Sequence, residues 1–163
     1  MILIMNEVKK RMNIKRLILF SLVLVGIPLI LSAQSNIIID KLLEKEAADW
    51  GSTAYLVLTA AELVDENIEI STVLATLKNQ QWKLEPKQEK ELITLGEFSY
   101  MLMEAFNVTG GLMYKLIPGP RYAARELSYL NFIDNDKSPY RTLSGEEVLR
   151  IMGRLLEWKE ANG

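Results

Sequence analysis

The feature that most constrains the fold is a fourteen-residue pattern that occurs twice, fifty positions apart, at residues 93–106 and 143–156. In both copies a hydroxyl residue is followed three positions later by glutamate, which gives the pairs Thr94–Glu97 and Ser144–Glu147. This spacing is typical of the capping box, in which each side chain satisfies a backbone N–H at the start of a helix. Apolar residues then recur at the spacing of one helix face. Each copy therefore predicts a capped amphipathic helix, and capping alone accounts for these four residues.

Other parts of the chain carry the apolar spacing or the capping signals of further helices. The predicted helices lie within residues 36–46 and at 54–64, 71–79, 93–107, 121–133 and 144–158. Gly51-Ser52-Thr53 predicts the cap of the helix at 54–64, and Ser71 predicts the cap of the next one. Polar or Gly/Pro-rich connections are predicted at 79–90 and 108–120.

The helices that precede the two copies also correspond to each other. Leu58, Ala61, Val64 and Asp65 align with Leu127, Leu130, Ile133 and Asp134 at an offset of sixty-nine positions. This offset exceeds fifty by nineteen residues, which is about the length of the extra helix and loop at 71–89. One amphipathic helix pair cannot bury its apolar faces alone, whereas two stacked pairs can. The sequence therefore predicts an all-α fold of two stacked helix–loop–helix repeats, the first with an inserted helix.

The amino-acid composition restricts the chemistry that the chain can perform. It contains no cysteine and no histidine, so disulfides, thiolate or imidazole metal ligands and the common nucleophilic triads are excluded. Histidine is also the most frequent general base near neutral pH. We therefore predict a non-catalytic protein without metal or cofactor. A glycan hydrolase that works with two carboxylates is the remaining enzymatic alternative.

The first 33 residues resemble a signal for export. Lys15 and Arg16 precede an uncharged apolar run at 17–31, and small residues follow it. This order is typical of a secretory signal peptide, with cleavage after Ala33 or after Ser35, and translation could begin at Met12. The alternative is a retained membrane helix, although the run is shorter than the roughly 20 residues that span a bilayer.

The segment 1–33 is therefore predicted to be removed, and the mature protein to be periplasmic or secreted. Residues 34–49 are interpreted as a lead-in segment and 50–163 as one helical domain. Residues 1–33 hold five basic and one acidic side chain, which leaves 14 basic and 20 acidic residues and a net charge of −6 in the remainder. An acidic body without a basic cluster argues against nucleic acid as a partner.

Two stretches resemble the S-layer homology (SLH) family. The second helix of that family's repeat is introduced by a motif of the form Ile-Thr-Arg-Ala/Gly-Glu-Phe, which Ile93-Thr94-Leu95-Gly96-Glu97-Phe98 matches except at the arginine. Residues 143–148 match it more loosely. Arg121-Tyr122-Ala123-Ala124 is similar to the aromatic–alanine opening of the family's first helix. The resemblance covers roughly residues 50–158.

The resemblance implies an envelope protein, because SLH domains anchor proteins to cell-wall polysaccharide, usually with three repeats. Leu95 and Gly145 occupy the positions of the family's polymer-binding arginine, so a bidentate donor for an anionic sugar is missing there. Neighbouring cations would have to supply that charge, and an aromatic side chain in the polar connection could stack on a sugar or cover the core. The candidate binding residues are therefore Arg121, Tyr122, Arg125, Arg141 and Trp82.

The predicted function is that of a non-catalytic bacterial envelope module that docks onto an envelope protein or a cell-wall glycan. The surface near Arg121, Tyr122, Thr94 and Glu97 is the predicted contact. A membrane-tethered assembly factor, which retains its N-terminal helix, is the main alternative. In that case alone the membrane would be a partner, and the sequence does not set the oligomeric state.

Overall fold

A computed structural model describes residues 33–134 and 136–162, and the predicted signal peptide lies almost wholly outside these residues. The described residues are helical and contain no strand, which confirms the all-α prediction. Two isolated β-bridges, Asp49 with Leu92 and Thr94 with Thr142, are their only extended pairings. The helices are α1 (Ala33–Leu43), α2 (Trp50–Ala60), α3 (Ile70–Asn79), α4 (Leu95–Ala105), α5 (Leu112–Leu116), α6 (Pro120–Tyr129) and α7 (Gly145–Asn162).

The starts of α2, α4 and α7 meet at one place, where short extended segments pair in a ring. Ala48 donates its backbone N–H to Leu143 at 2.7 Å, and Ile93 donates to Ala48 at 3.1 Å. Gly145 also donates to the carbonyl of Lys45 at 3.1 Å, and Leu95 closes the ring by donating to the carbonyl of Arg141 at 2.8 Å. Since the backbone groups of each segment are satisfied by the next, the three helix N-termini are fixed relative to one another.

Glycine is used where these helix starts approach neighbouring backbone. Gly51 donates its N–H to Glu89 at 2.9 Å, and Gly96 donates to Pro139 at 2.8 Å. A Cβ on Gly96 would lie 2.9 Å from that same Pro139 carbonyl oxygen, closer than a carbon side chain tolerates. The glycines therefore permit close backbone approach and leave their conformational freedom unused, since neither has a positive φ.

Helix α4 occupies the centre of the core, and nearly all of its side chains are buried. It packs most extensively on α6 and also contacts α2, while α1 packs against both α2 and α7. The most extensive packing of α4 is thus on a helix that the prediction assigns to the other repeat, and the pairing of helices within each repeat stays a prediction. The largest fully buried side chains are Trp50, Tyr55, Phe98, Leu42, Leu58, Ile93, Leu95, Met101, Leu102, Met103, Leu127 and Leu143.

Helix α2 begins at Trp50, four residues before the predicted start. The side chain of Asp49 accepts from the backbone N–H of Ser52 at 2.7 Å and forms the N-cap. The predicted cap at Gly51-Ser52-Thr53 is therefore wrong, because the helix begins earlier and these three residues lie in its first turn, where Ser52 supplies the N–H that Asp49 caps. Helix α3 likewise begins at Ile70, so Ser71 lies in its first turn.

Helix α6 ends at Tyr129, before the predicted end at Ile133. The chain turns at Asn131, whose φ is 61°, and the next residues bury their side chains outside the helix. The predicted connection at 108–120 contains the five-residue helix α5, and α7 continues past Trp158 to Asn162. None of the helices in the described part of the chain has the length and hydropathy needed to cross a bilayer.

Candidate functional site

A cleft of about 410 Å³ lies beside α6 and is the most chemically distinctive surface of the described chain. Three of the five predicted binding residues, Arg121, Tyr122 and Arg125, line it together. We call this the basic cleft, and its lining residues are Arg121, Tyr122, Arg125, Ser128, Tyr129, Lys137 and Pro139.

The helix and the following loop form the two walls of the basic cleft. Residues 121, 122, 125, 128 and 129 recur at the spacing of one face of α6, which places them along a single wall. The opposite wall is the loop at 137–139, which is held in place because Pro139 accepts the backbone N–H of Gly96. Both walls are therefore tied to the start of α4, and Gly96 also lies against Pro120 at the start of α6.

The side chains of Arg125 and Tyr129 form a pair on the cleft wall. Both Nε and Nη2 of Arg125 donate to the Tyr129 hydroxyl, at 2.9 and 2.8 Å. The guanidinium carbon lies 5.4 Å from the centre of the tyrosine ring. The hydrogen bond to this hydroxyl raises the pKa of Arg125 further above its ordinary value. The pair presents a permanent positive charge beside an exposed aromatic face.

The cleft's cations lack acidic partners in the region that the structure describes. No carboxylate of residues 33–134 or 136–162 forms an ion pair with Arg121, Arg125 or Lys137. Glu126, next to Arg125 in sequence, lies toward Gly111 on another face of α6. Asp136, next to Lys137, accepts the backbone N–H of Ser138 at 2.9 Å. Positive potential can therefore extend into the cleft although the body of the chain is acidic.

Arg141, a further predicted binding residue, does not line the basic cleft. Its Nη1 and Nη2 both donate to the carboxylate of Glu147 at 2.9 Å, and its Nε donates to the carbonyl of Asp136 at 2.6 Å. The guanidinium beside Glu147 lowers the pKa of that carboxyl. The structural role of Arg141 is therefore the bidentate ion pair that it forms with Glu147 at the start of α7.

The predicted motif residues lie at helix starts. Thr94 and Glu97 form a capping box, in which Thr94 N–H donates to Glu97 at 2.9 Å. Ser144 and Glu147 exchange the equivalent bonds at the start of α7, at 3.4 and 3.2 Å. Lys87 holds the carboxylate of Glu97 at 2.7 Å, as Arg141 holds that of Glu147. Each carboxylate thus bonds both a backbone N–H and a cation, and helix capping accounts for both residues.

Trp82, the fifth predicted binding residue, lies apart from the others, in the connection between α3 and α4. It is half-buried and lines a second cleft, of about 260 Å³, together with Trp50. The walls of this second cleft are mainly apolar and come from α3 and from the loop that follows it. The inserted helix predicted from the sequence therefore contributes a separate surface, and Trp82 belongs to that surface.

Two important cleft residues were missed in the sequence, Tyr129 and Lys137. Tyr129 is four positions after Arg125 on a helix, and this spacing could have indicated the pair. Lys137 lies in a polar loop, whose path back to α6 depends on the bond between Pro139 and Gly96. No local signal in the sequence reveals that return.

The chain matches no protein-family model, and no curated protein or solved structure is significantly similar to it. Within the described residues no group of three or more Asp or Glu side chains is placed to hold a metal ion. The fold and the site together define an all-α domain with a cationic, aromatic cleft. Two guanidinium groups, an ammonium group and two phenol rings can bind and orient a ligand that combines negative charge with a ring.

Proposed function

We propose that this protein is a non-catalytic, exported module of the bacterial cell envelope, which binds an anionic glycan through the basic cleft. The observation that carries the proposal is the set of three cations, Arg121, Arg125 and Lys137, beside two tyrosines and without acidic partners in the described chain. Guanidinium groups match carboxylate or phosphate substituents by bidentate hydrogen bonds. The ring of Tyr129 offers an amphipathic face with a polar edge against which a sugar can lie.

In the proposed site, cations of the neighbouring helix α6 take the place of the arginine that the SLH-like motif lacks. Leu95, at the motif position, is fully buried in the core and cannot contact a ligand. Arg121 and Arg125 lie one helical turn apart on α6, and the start of α6 lies against Gly96 of the same motif. Binding strength should fall with salt, because the attraction is between exposed charges.

A sedimentation assay with insoluble cell-wall polysaccharide tests this proposal. The wild-type protein should pellet with the polymer, and less so after the polymer's acidic substituents are removed. The double variant Arg121→Gln/Arg125→Gln should bind at least about tenfold more weakly, since each lost charge-assisted bond contributes roughly 1.5–3 kcal/mol. The matched control is Lys90→Gln, which removes an exposed cation outside the cleft and should bind as the wild type does.

Equal pelleting of the wild type and the double variant, or equal binding to the neutral polymer, would refute the proposed site. Circular dichroism should show unchanged helix content in all variants, because Arg121 and Arg125 are exposed on the surface of α6 and Lys90 is exposed in a turn outside the helices.

Export is the second part of the proposal and has its own measurement. The intact mass of the native protein should correspond to a chain that begins after Ala33 or after Ser35. A mass that includes residues 17–31 would instead support the membrane-tethered alternative, in which the same module is held at the membrane by its N-terminal segment.

A further inference from the structure

Helix α5 presents its apolar side chains to solvent instead of to the core. The exposed fractions are 68% for Leu112, 47% for Met113, 65% for Leu116 and 59% for Ile117. These positions share one face of the helical turn, since Leu116 follows Leu112 and Met113 by four and three residues and Ile117 follows Met113 by four. Isolated exposed leucines are ordinary on protein surfaces, but four large apolar side chains on one turn form a contiguous patch.

The opposite side of α5 is fixed to the rest of the molecule. Tyr114 is buried, and its hydroxyl donates to Glu104 of α4 at 2.6 Å. Its ring packs on Tyr100 with 6.1 Å between ring centres. Gly110 lies so close to the Tyr114 ring that a Cβ there would be 2.7 Å from it. The apolar patch is therefore held outward by specific contacts, and it does not result from a loose loop.

The charges around the patch indicate what it contacts. Lys115 lies within the helical turn, Arg121 follows four residues after the turn's last apolar residue, and both are exposed. The nearest acidic groups, Glu104 and Glu126, lie beneath α5, where one bonds Tyr114 and the other faces Gly111. An apolar turn flanked by cations matches the interface of an anionic bilayer, where side chains reach the acyl boundary and lysine or arginine remains at the headgroups.

A second copy of the chain is a poorer match for this patch. Self-association about a two-fold axis would place Lys115 and Arg121 of one molecule near the same residues of the other, and like charges repel. The patch is also one helical turn, far smaller than the roughly 800 Å² per partner that a stable protein interface buries.

We propose that α5 inserts Leu112, Met113, Leu116 and Ile117 into the interface of an anionic lipid bilayer, with Lys115 at the headgroups. This contact is distinct from the glycan-binding function proposed above and does not depend on it. It would hold the module at a membrane surface with the turn between Gly111 and Pro118 facing the lipid.

The absence of cysteine allows a local test on the full chain. Met113→Cys places a single thiol on the patch and leaves Leu112, Leu116 and Ile117 intact. Leu92→Cys is the matched control, since Leu92 is 46% exposed and lies at the opposite end of α4. Each thiol is labelled with an environment-sensitive fluorophore. The protein is mixed with phosphatidylcholine vesicles that contain or lack phosphatidylglycerol, and spin-labelled lipids serve as quenchers.

The fluorophore at position 113 should shift its emission to the blue and be quenched by the spin-labelled lipid only in phosphatidylglycerol vesicles. The fluorophore at position 92 should remain in water. Adding Leu112→Ser/Leu116→Ser to the labelled chain should abolish the quenching at 113. Lys115→Gln should lower the ratio of membrane-bound to free protein by about fivefold, which is the effect of one cation near an anionic surface.

Three outcomes would overturn the inference. Position 113 could stay unquenched in the anionic vesicles. Both positions could be quenched equally, which would mean that the N-terminal segment attaches the chain without orienting α5. The blue shift at 113 could appear without lipid and rise with protein concentration, which would identify a second copy as the occupant. A failure of glycan sedimentation, by contrast, would leave this result unaffected.

Discussion

Gly145 begins α7 directly against the backbone of α1, and its side-chain hydrogen cannot be replaced by carbon. A Cβ at this position would overlap the carbonyl oxygen of Leu42, and a backbone atom cannot move aside as a flexible side chain can. We expect Gly145→Ala to lower the free energy of unfolding by about 2–3 kcal/mol, the range observed when a packed site is overfilled. Urea denaturation followed by circular dichroism measures the change.

Gly153, in the same helix, is the matched control for this substitution. A Cβ there would meet nothing within 4 Å. Because glycine in a helix interior costs about 0.5–1 kcal/mol relative to alanine, Gly153→Ala should raise the free energy of unfolding. Equal effects of the two substitutions would contradict the packing of α7 against α1.

For individual residues the sequence indicates a capping role more clearly than a binding role. Thr94 and Glu97 are recognisable because the capping box is a local pattern, complete within four residues. Arg121 and Arg125 are equally visible, but their position beside Lys137 depends on a loop that returns to the start of α4. The cleft could therefore be recognised only from the tertiary structure, although two of its three cations could be identified from the sequence.

The start of α7 is an element whose stability depends on pH. Its capping carboxylate, Glu147, has a pKa below the ordinary value of 4.5, mainly because Arg141 donates hydrogen bonds to it. A group whose pKa is lower in the folded state stabilises the fold above its unfolded-state pKa and loses that contribution as the pH falls through the folded-state pKa. The contribution of Glu147 should thus be complete above pH 4.5 and decline in more acidic solution.

We predict that Glu147→Gln lowers the free energy of unfolding by about 1–2 kcal/mol at neutral pH, because a charge-assisted bond is lost and Arg141 is left without its partner. The difference from the wild type should shrink as the pH falls below 4.5, as the wild-type carboxylate also becomes protonated. Glu146→Gln alters the exposed neighbour in the same helical turn and should have little effect at either pH. A difference for Glu147→Gln that is constant with pH would show that the ion pair is not the source.

The ends of several helices are difficult to predict from the sequence, and the reason lies in four residues. Helices α2, α3, α4 and α6 all end before a residue with positive φ, which is the position where glycine is usual. Here the positions are occupied by Glu62, Gln81, Asn107 and Asn131. The chain's helix ends thus lack their common signal, so the periodic apolar pattern suggested that α6 continued to Ile133. At the helix starts, by contrast, Thr94 and Ser144 cap α4 and α7 as predicted, although Asp49 caps α2 in place of the predicted residues.

For the whole molecule, the all-α class could be predicted because helical periodicity extends along most of the chain. The ring that joins the starts of α2, α4 and α7 could not be predicted, since it consists of backbone hydrogen bonds between residues 45 to 100 positions apart in sequence. Hydrogen bonds between backbone groups leave no pattern of side chains in the sequence from which they could be predicted. For the same reason the residues 34–49 were interpreted as a lead-in segment, although Leu42 in this segment is fully buried in the core.

The burial of Leu42 leads to a prediction about the cooperativity of the whole fold. Leu42 has no exposed surface, whereas its neighbour Leu43 is 49% exposed. Leu42→Ala should lower the free energy of unfolding by about 3 kcal/mol, as for other buried leucines, while Leu43→Ala should change it by less than about 0.5 kcal/mol.

The Leu42→Ala substitution should destabilise α7 as much as α1, because Leu42 lies against Gly145 and the N–H of Gly145 donates to the carbonyl of Lys45. Hydrogen exchange of amides in α4 and α7 measures this directly, and in Leu42→Ala both helices should lose the same protection. A loss of protection confined to residues 37–45 would mean that α1 is an appendage and that the domain folds without it.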